Sequence, residues 1–358
     1  MINGGPPRIA VVGVSTLIGE ALLDELRLKK FAHAELHALD DERHLGRPLS
    51  VPGDDAAGGD ADAAASPRSK APQATDVAAF DFARADLVFF CGRAALAERY
   101  AEAAAQHAWV IDSSSQFRAR EAVPLVIADV NPGVLAGVAA RRHGLIALPG
   151  SASVALASAL APLHALAGLL RAEVATYQAV SGSGRGAMDE LAGETVAMLS
   201  GKKARGRAFG RQIAFNVIPQ VDALEASGTT REERRLWEET RRVLELPALA
   251  INATAVRVPV FFGHSLAVHA SFERAVSVAA AAVALQEAGV SVIATDSTLE
   301  FPTPATLATA PDKVYVGRVR ADPTRDRSLN FWIVADNVRK CAAHNAFCVA
   351  QILVNSTR

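Results

Sequence analysis

The sequence predicts an α/β protein of two domains: a doubly wound parallel sheet first, then an α+β domain with a largely antiparallel sheet. Three observations carry this. The 358 residues, half of them hydrophobic, suffice for two cores. From residue 8 to about 112, short continuous apolar runs alternate with segments whose apolar residues recur at helical spacing, the pattern of βα units on a sheet buried on both faces. Past residue 149 the pattern shifts to an Ala/Leu-rich helix followed by longer strands.

After a polar leader, RIAVVG at 8–13 reads as a central parallel strand. In 17–28, Leu17, Ile18, Ala21, Leu22, Leu26 and Leu28 fall largely at helical spacing. A second strand at 34–39 ends in Asp40 and Asp41, and DLVFFC (86–91), a helix near 94–107 and WVID (109–112) continue the alternation. Between them, residues 52–72 are, apart from Arg68 and Lys70, all Gly, Ala, Asp, Ser and Pro, too small and polar to anchor a core, and read as a flexible surface loop without a functional role. The second domain opens with a helix at about 152–169. Strands are expected at 174–181, 255–262, 266–272, 314–320 and 329–336, with a helix near 275–288 and a final helix from 337 to about 353. No fixed-period repeat is visible.

Lys plus Arg number 37 against 38 Asp plus Glu, so no net field favours nucleic acid, acidic polymers or membrane lipid. No run of about 18 uncharged apolar residues occurs, and the N-terminus lacks a secretory signal pattern. Cys91, Cys341 and Cys348 are too few and too irregularly spaced for a disulfide framework or a zinc site. The expectation is a soluble, cytoplasmic protein with no resident metal, no nucleic-acid partner and no membrane association.

The turn VVGVSTLIGE places Gly13 and Gly19 around Val14, Ser15, Thr16, Leu17 and Ile18, directly between a strand and a helix. Glycine there lets the backbone approach a pyrophosphate, and free N–H groups of the helix start attract its charge. The spacing fits neither G-x-G-x-x-G nor a Walker loop, so a dinucleotide site and a plain βα turn both stay open. Asp40 and Asp41 lie where an acid at the second strand's end would bond a ribose diol. They would repel a 2′-phosphate, an effect Arg43 and Arg47 would offset; a solvated acidic pair is the alternative.

The sequence becomes specific at PLVIADVNPGVL, LIALPGSASVALASALAPLH, TYQAVSGSGRGAMDEL, RVPVFFGHSLAVH and LNFWIVADNVRKCAAHNA. In order and spacing these resemble the aspartate-semialdehyde dehydrogenase family over essentially the whole chain apart from residues 52–72. Within it the chain is most similar to the Usg-type, dehydrogenase-like paralogues. The resemblance implies a Rossmann-like NAD(P)-binding domain at 1–148, a substrate and dimerisation domain of the semialdehyde-dehydrogenase type at 149–336, and a C-terminal helix at 337–358 returning to the first domain. It also implies a homodimer, a small acidic metabolite as ligand and NAD(P) as cofactor.

The family's reaction has a cysteine thiolate attack an aldehyde, hydride pass to NADP, and phosphate cleave the acyl thioester, which requires a nucleophile, a base and anion clamps. By resemblance, His264 in FFGHS matches the acid/base histidine, Arg257 the arginine holding the substrate carboxylate, and Gln178 the substrate-orienting glutamine. Arg118 matches the phosphate-site arginine, and Arg235 stands where the family has a phosphate-binding lysine, with Glu232 beside it. Gly13, Ser15, Thr16, Leu17, Ile18, Gly19, Asp41, Gly92 and Asn337 fall at cofactor-site positions. A lone strand histidine is more often structural, and arginines usually cover a solvated face. Their joint occurrence at family positions reverses that weighting.

The nucleophile departs from the pattern. The family motif is Asn-Cys at a helix start; here Gly150 and Ser151 occupy those places. A thiol of pKa about 8.5 is a few per cent ionised at neutral pH, whereas a serine hydroxyl stays protonated unless a base removes its proton. Arg93 replaces the second of two cofactor-loop glycines, Thr16 replaces the middle glycine of the turn, and Asp41 lies near the place of a serine that contacts the 2′-phosphate. These changes weigh against nucleotide binding, NADP more than NAD. The expected function is a catalytically degenerate homologue with a retained anion cleft. The alternatives are an NAD(P)-dependent aldehyde oxidoreductase without a thioester step, and a serine acyl-transfer enzyme using Ser151 and His264, which lacks the G-x-S-x-G elbow.

Overall fold

A computed structural model describes residues 6–29, 31, 33–45, 73–139, 141, 143–204, 206–293 and 300–356. The stretch read as a surface loop at 52–72, and Arg47, lie outside the described residues. The chain divides into two compact units, one of residues 1–124, 133–148 and 346–358, the other of 125–132 and 149–345.

The first unit contains β1 (Arg8–Val12), α1 (Leu17–Leu28), β2 (Glu35–Asp40), β3 (Thr75–Asp76), β4 (Leu87–Phe90), α2 (Ala94–Ala104), β5 (Trp109–Asp112), α3 (Gly133–Ala139) and β6 (Gly144–Ala147). All pairings are parallel, in the order β3-β2-β1-β4-β5-β6. That is the doubly wound order with its switch point beside β1, where loops at the carboxyl ends of the strands diverge and form a ligand crevice. The apolar runs make these central strands because both faces are covered: Ile9, Ala10, Val11, Leu87, Val88 and Val110 are fully buried.

The second unit contains α4 (Ser151–Ala167), β7 (Leu169–Gln178), α5 (Arg185–Leu199), α6 (Arg231–Val243), β8 (Ala250–Arg257), β9 (His264–Phe272), α7 (Val278–Glu287), β10 (Ser291–Val292), β11 (Val314–Ala321) and β12 (Ser328–Ala335). After a π-helical turn, Arg339–His344, α8 (Asn345–Ser356) runs on into the first unit. The sheet order is β10-β11-β12-β9-β7-β8. Helices α4 and α7 pack on one face, and α4 is buried along most of its length.

Four sequence expectations need correction. The second sheet is mixed rather than largely antiparallel: β10 with β11 and β7 with β8 pair in parallel, the latter made feasible by the long crossover through α5 and α6. β7 ends at Gln178, not 181, because Val180–Ser183 coils into a 3₁₀ turn closed by Gly184 at φ +85°. β8 runs from Ala250 to Arg257 rather than 255–262; beyond it lies Pro259, which has no N–H for a ladder. The last helix begins as a π turn, since the Asp336 carboxylate takes the N–H groups of Val338 and Arg339 and the following bonds close over five residues.

Candidate active site

Strand alternation and register assemble the core of the site. Along β7, β8 and β9 the positions ending in Gln178, Arg257 and His264 face the helix-covered side. Gln178 is registered opposite Arg257, and Tyr177 opposite Ser265, so the three side chains stand side by side at one end of three neighbouring strands. All three are buried, at 3%, 5% and 2% exposure.

The backbone of one residue holds two of them. The Ala179 N–H donates to His264 Nδ1 (3.2 Å), and the Ala179 carbonyl accepts from an Arg257 terminal nitrogen (2.6 Å). The adjoining turn leaves room only because residue 182 is glycine: a Cβ there would lie 3.0 Å from the Arg257 guanidinium and 3.4 Å from the His264 ring. With Nδ1 accepting, a neutral His264 carries its proton on Nε2 and is a donor there. Burial, reinforced by the Arg257 charge, pushes its pKa down to about 3. Burial likewise lowers Arg257 to about 10 against the opposing pull of Glu232, so it stays charged at neutral pH. Its Nε is buried without a partner, and its guanidinium lies 5.6 Å from the Phe209 ring centre. A buried, charged donor with an unspent N–H is what a ligand carboxylate satisfies.

Helix α6 supplies three carboxylates to this machinery. Glu232 accepts from Gln178 Nε2 at 3.0 Å. Glu233 closes a capping box with Thr230 and accepts the Ala255 N–H of β8 at 2.8 Å. Glu239, one further turn pair along the same face, accepts both the Gly150 N–H and the Ser153 hydroxyl at 2.7 Å, anchoring the start of α4. Ser151 is the first residue of α4 after the Gly150 cap, where the helix's positive end favours an anion. Among the described residues no hydrogen bond joins the Ser151 hydroxyl to a base.

Other expected residues are placed differently. Arg235 donates to Asp222 (3.0 Å). The Asn337 side chain bonds the Ser181 hydroxyl and accepts the Gly263 N–H, pinning the turn after β7 to the turn before His264. Arg118 belongs to the first unit and donates to the Ser113 carbonyl at 2.9 Å. Sequence reasoning passed over Glu239, Ala179 and Gly182; the seven-residue interval from Glu232 to Glu239 was the available signal for the first, since it returns to one helix face. Cys91 and Cys341 are buried and far from thiolate behaviour, Cys341 being pushed up to about 12 and Cys91 higher.

In the first unit, Gly13 takes φ +79°, and a Cβ on Gly19 would lie 2.4 Å from the Gly13 carbonyl oxygen, so these glycines permit close strand–helix approach. Thr16 caps α1 through Gly19 N–H and donates to the Gly13 carbonyl. The amides of Gly13 and Val14 bond Leu39, those of Ser15 and Thr16 bond Asp40 and Gly13. Among the described residues of the turn this leaves the amides of Leu17 and Ile18 for a phosphate. Asp40 is fully buried at the end of β2 and is not part of a solvated loop.

The fold and these two clusters define a two-domain dehydrogenase-type protein, and comparison with known families agrees: residues 8–138 match the family model "Semialdehyde dehydrogenase, NAD binding domain" and residues 160–340 match "Semialdehyde dehydrogenase, dimerisation domain". The chain belongs to the semialdehyde dehydrogenase family. Among its relatives, an aspartate-semialdehyde dehydrogenase of Shewanella violacea is 36% identical over 97% of each chain, and a USG-1 protein homolog of Azotobacter vinelandii is 36% identical over 98% of each. The crystal structure of aspartate semialdehyde dehydrogenase II from Vibrio cholerae complexed with ASA superposes with a TM-score of 0.88 at 34% identity, covering 98% of this chain and 99% of that one.

Proposed function

We propose that this protein binds a small acidic aldehyde or its analogue and a nicotinamide nucleotide in a semialdehyde-dehydrogenase scaffold, but does not carry out the thioester-forming reaction. The observation that carries the reading is Ser151 as the first residue of α4. The reading is supported by Arg257 as a clamp for a carboxylate, Gln178 held by Glu232 for orientation, and His264 Nε2 as a proton donor. What is lacking is a group ionised at neutral pH to attack. A neutral His264 with its proton on Nε2 is a poor base toward Ser151, which also weighs against serine acyl transfer. The first unit fits the nucleotide, with Gly13 and Gly19 giving close approach and Leu17 and Ile18 offering amides. A bound nicotinamide would supply or accept hydride. The family's second domain is named for dimerisation, and we take the protein to be a homodimer.

The His264 tautomer favours one second reading, the reduction of an aldehyde, in which this chain contributes the proton from Nε2 to the developing alkoxide and needs no thiol. The test is incubation with aspartate semialdehyde and NADP without phosphate, followed by calorimetry and intact-mass spectrometry. Reversible binding without an acyl adduct supports the proposal; acylated Ser151, or no binding at all, overturns it.

A further inference from the structure

The carboxyl ends of β1, β2 and β4 bring three loops together in the first unit, because β1 lies between β2 and β4. From these loops come Ser15, the pair Asp40 and Asp41, and Arg93. The Arg93 guanidinium is held on all of them: one terminal nitrogen lies 3.1 Å from both Asp40 Oδ1 and Asp41 Oδ2, and the other donates to Ser15 Oγ at 2.9 Å. Asp40 also accepts the Ser15 N–H and the Asp41 N–H, each at 2.9 Å, so its position is fixed by the turn itself. His44 Nδ1 contacts Asp41 Oδ1 and lies 2.6 Å from Arg93. Burial works against ionisation of Asp41, but the bonds from His44 and Arg93 overcome it and hold its carboxyl below the ordinary range.

Asp40, Asp41 and His44 lie close enough together to hold a metal ion. One oxygen of each aspartate is instead turned on a guanidinium, so the cation of this cluster is part of the chain. In doubly wound sheets an acid at the end of the second strand accepts the ribose hydroxyls of NAD and repels a 2′-phosphate, whereas a nearby arginine accommodates that phosphate. This site carries both. Two carboxylates without Arg93 would present two negative charges at the ribose end; Arg93 offsets one, keeps 22% of its side chain exposed, and has an Nε–H that none of the contacts to Asp40, Asp41 and Ser15 uses.

We infer that Arg93 sets the nucleotide preference of the first unit, making a site with two strand-end carboxylates accept a 2′-phosphorylated nucleotide. The inference rests on the nucleotide-binding reading above, and it reverses the sequence expectation that NADP is the more disfavoured cofactor.

The experiment measures NADP and NAD dissociation constants by calorimetry for the wild type, Arg93→Ala, Arg93→Lys and Asp41→Ala, with thermal melts to verify folding. Expected is NADP binding by the wild type at least as tight as NAD. Arg93→Ala should weaken NADP tenfold or more while NAD changes less than threefold. Arg93→Lys should retain part of the NADP affinity, and Asp41→Ala should raise NADP affinity relative to NAD. An unchanged NADP-to-NAD ratio in Arg93→Ala overturns the inference while leaving nucleotide binding intact. Equal tightening of both nucleotides in Arg93→Ala also overturns it, since Arg93 would then be a plug. If no protein in the set binds either nucleotide at millimolar concentration, the nucleotide reading itself fails and takes this inference with it.

Discussion

His264 gives the sharpest quantitative consequence of the structure. Its ring is buried, accepts an N–H at Nδ1 and faces the Arg257 charge, so its pKa falls from 6.5 to about 3 on folding. Between those values the unfolded chain binds a proton that the folded one refuses, so this histidine's contribution is complete above pH 6.5 and is lost as pH falls. The slope is about 1.4 kcal/mol per pH unit, or about 2 kcal/mol between pH 7.5 and pH 5. The perturbation to make is His264→Asn, whose side-chain oxygen can still accept the Ala179 N–H but does not titrate. Urea unfolding at both pH values should show the wild type losing about 2 kcal/mol more than the variant on acidification. Nitrogen NMR of the wild type should show Nε2 protonated and Nδ1 unprotonated throughout pH 5–8. Equal acid losses in the two proteins, or a His264 resonance titrating near 6.5, would refute the argument and with it the tautomer assigned to the site.

Three further outcomes follow from the same geometry. Arg257→Leu removes a charge-assisted clamp worth about 1.5–3 kcal/mol, so affinity for an aspartate-like carboxylate should fall roughly ten- to a hundredfold by calorimetry. Gly19→Ala places a Cβ 2.4 Å from the Gly13 carbonyl oxygen and 2.8 Å from Val14 Cα, contacts with backbone that cannot swing aside. It should cost about 1–3 kcal/mol in denaturant unfolding and weaken nucleotide binding. Glu239→Gln keeps the shape at the start of α4 but removes the charge shared by Gly150 N–H and the Ser153 hydroxyl; a lower melting temperature is expected, and an unchanged one would show that the anchor is dispensable.

The parts of the molecule legible in the sequence are those governed by local pattern. Helix 17–28 and strand 109–112 coincide with α1 and β5, because burial on one stripe or on both faces writes a period that neighbouring residues carry. Family motifs placed Gln178, Arg257 and His264 in one site, and the sheet register shows why three residues so far apart in the chain meet. Illegible were features decided by non-local partners. Parallel pairing of β7 with β8 depends on the crossover through α5 and α6, and the end of β7 depends on how closely Arg257 and His264 approach Gly182. For Asp40 a ribose-binding acid and a solvated loop residue both stayed open, because acids are seldom fully buried; the Ser15 amide and Arg93 that accommodate it come from two other loops. Arg93 read as a lost glycine, and its partners appear only once β1, β2 and β4 are side by side.

The central claim is that a working clamp and nucleotide site remain while the nucleophile is gone, and a gain-of-function experiment tests it most directly. Absorbance at the nicotinamide band would be followed with aspartate semialdehyde, phosphate and NADP or NAD, comparing wild type with Gly150→Asn/Ser151→Cys. Silence from the wild type and turnover by the variant is the predicted result, since the helix start would then carry a thiol that its positive end can ionise. Turnover by the wild type as fast as the variant's would contradict the loss of the nucleophile, and silence from both would contradict the retained site.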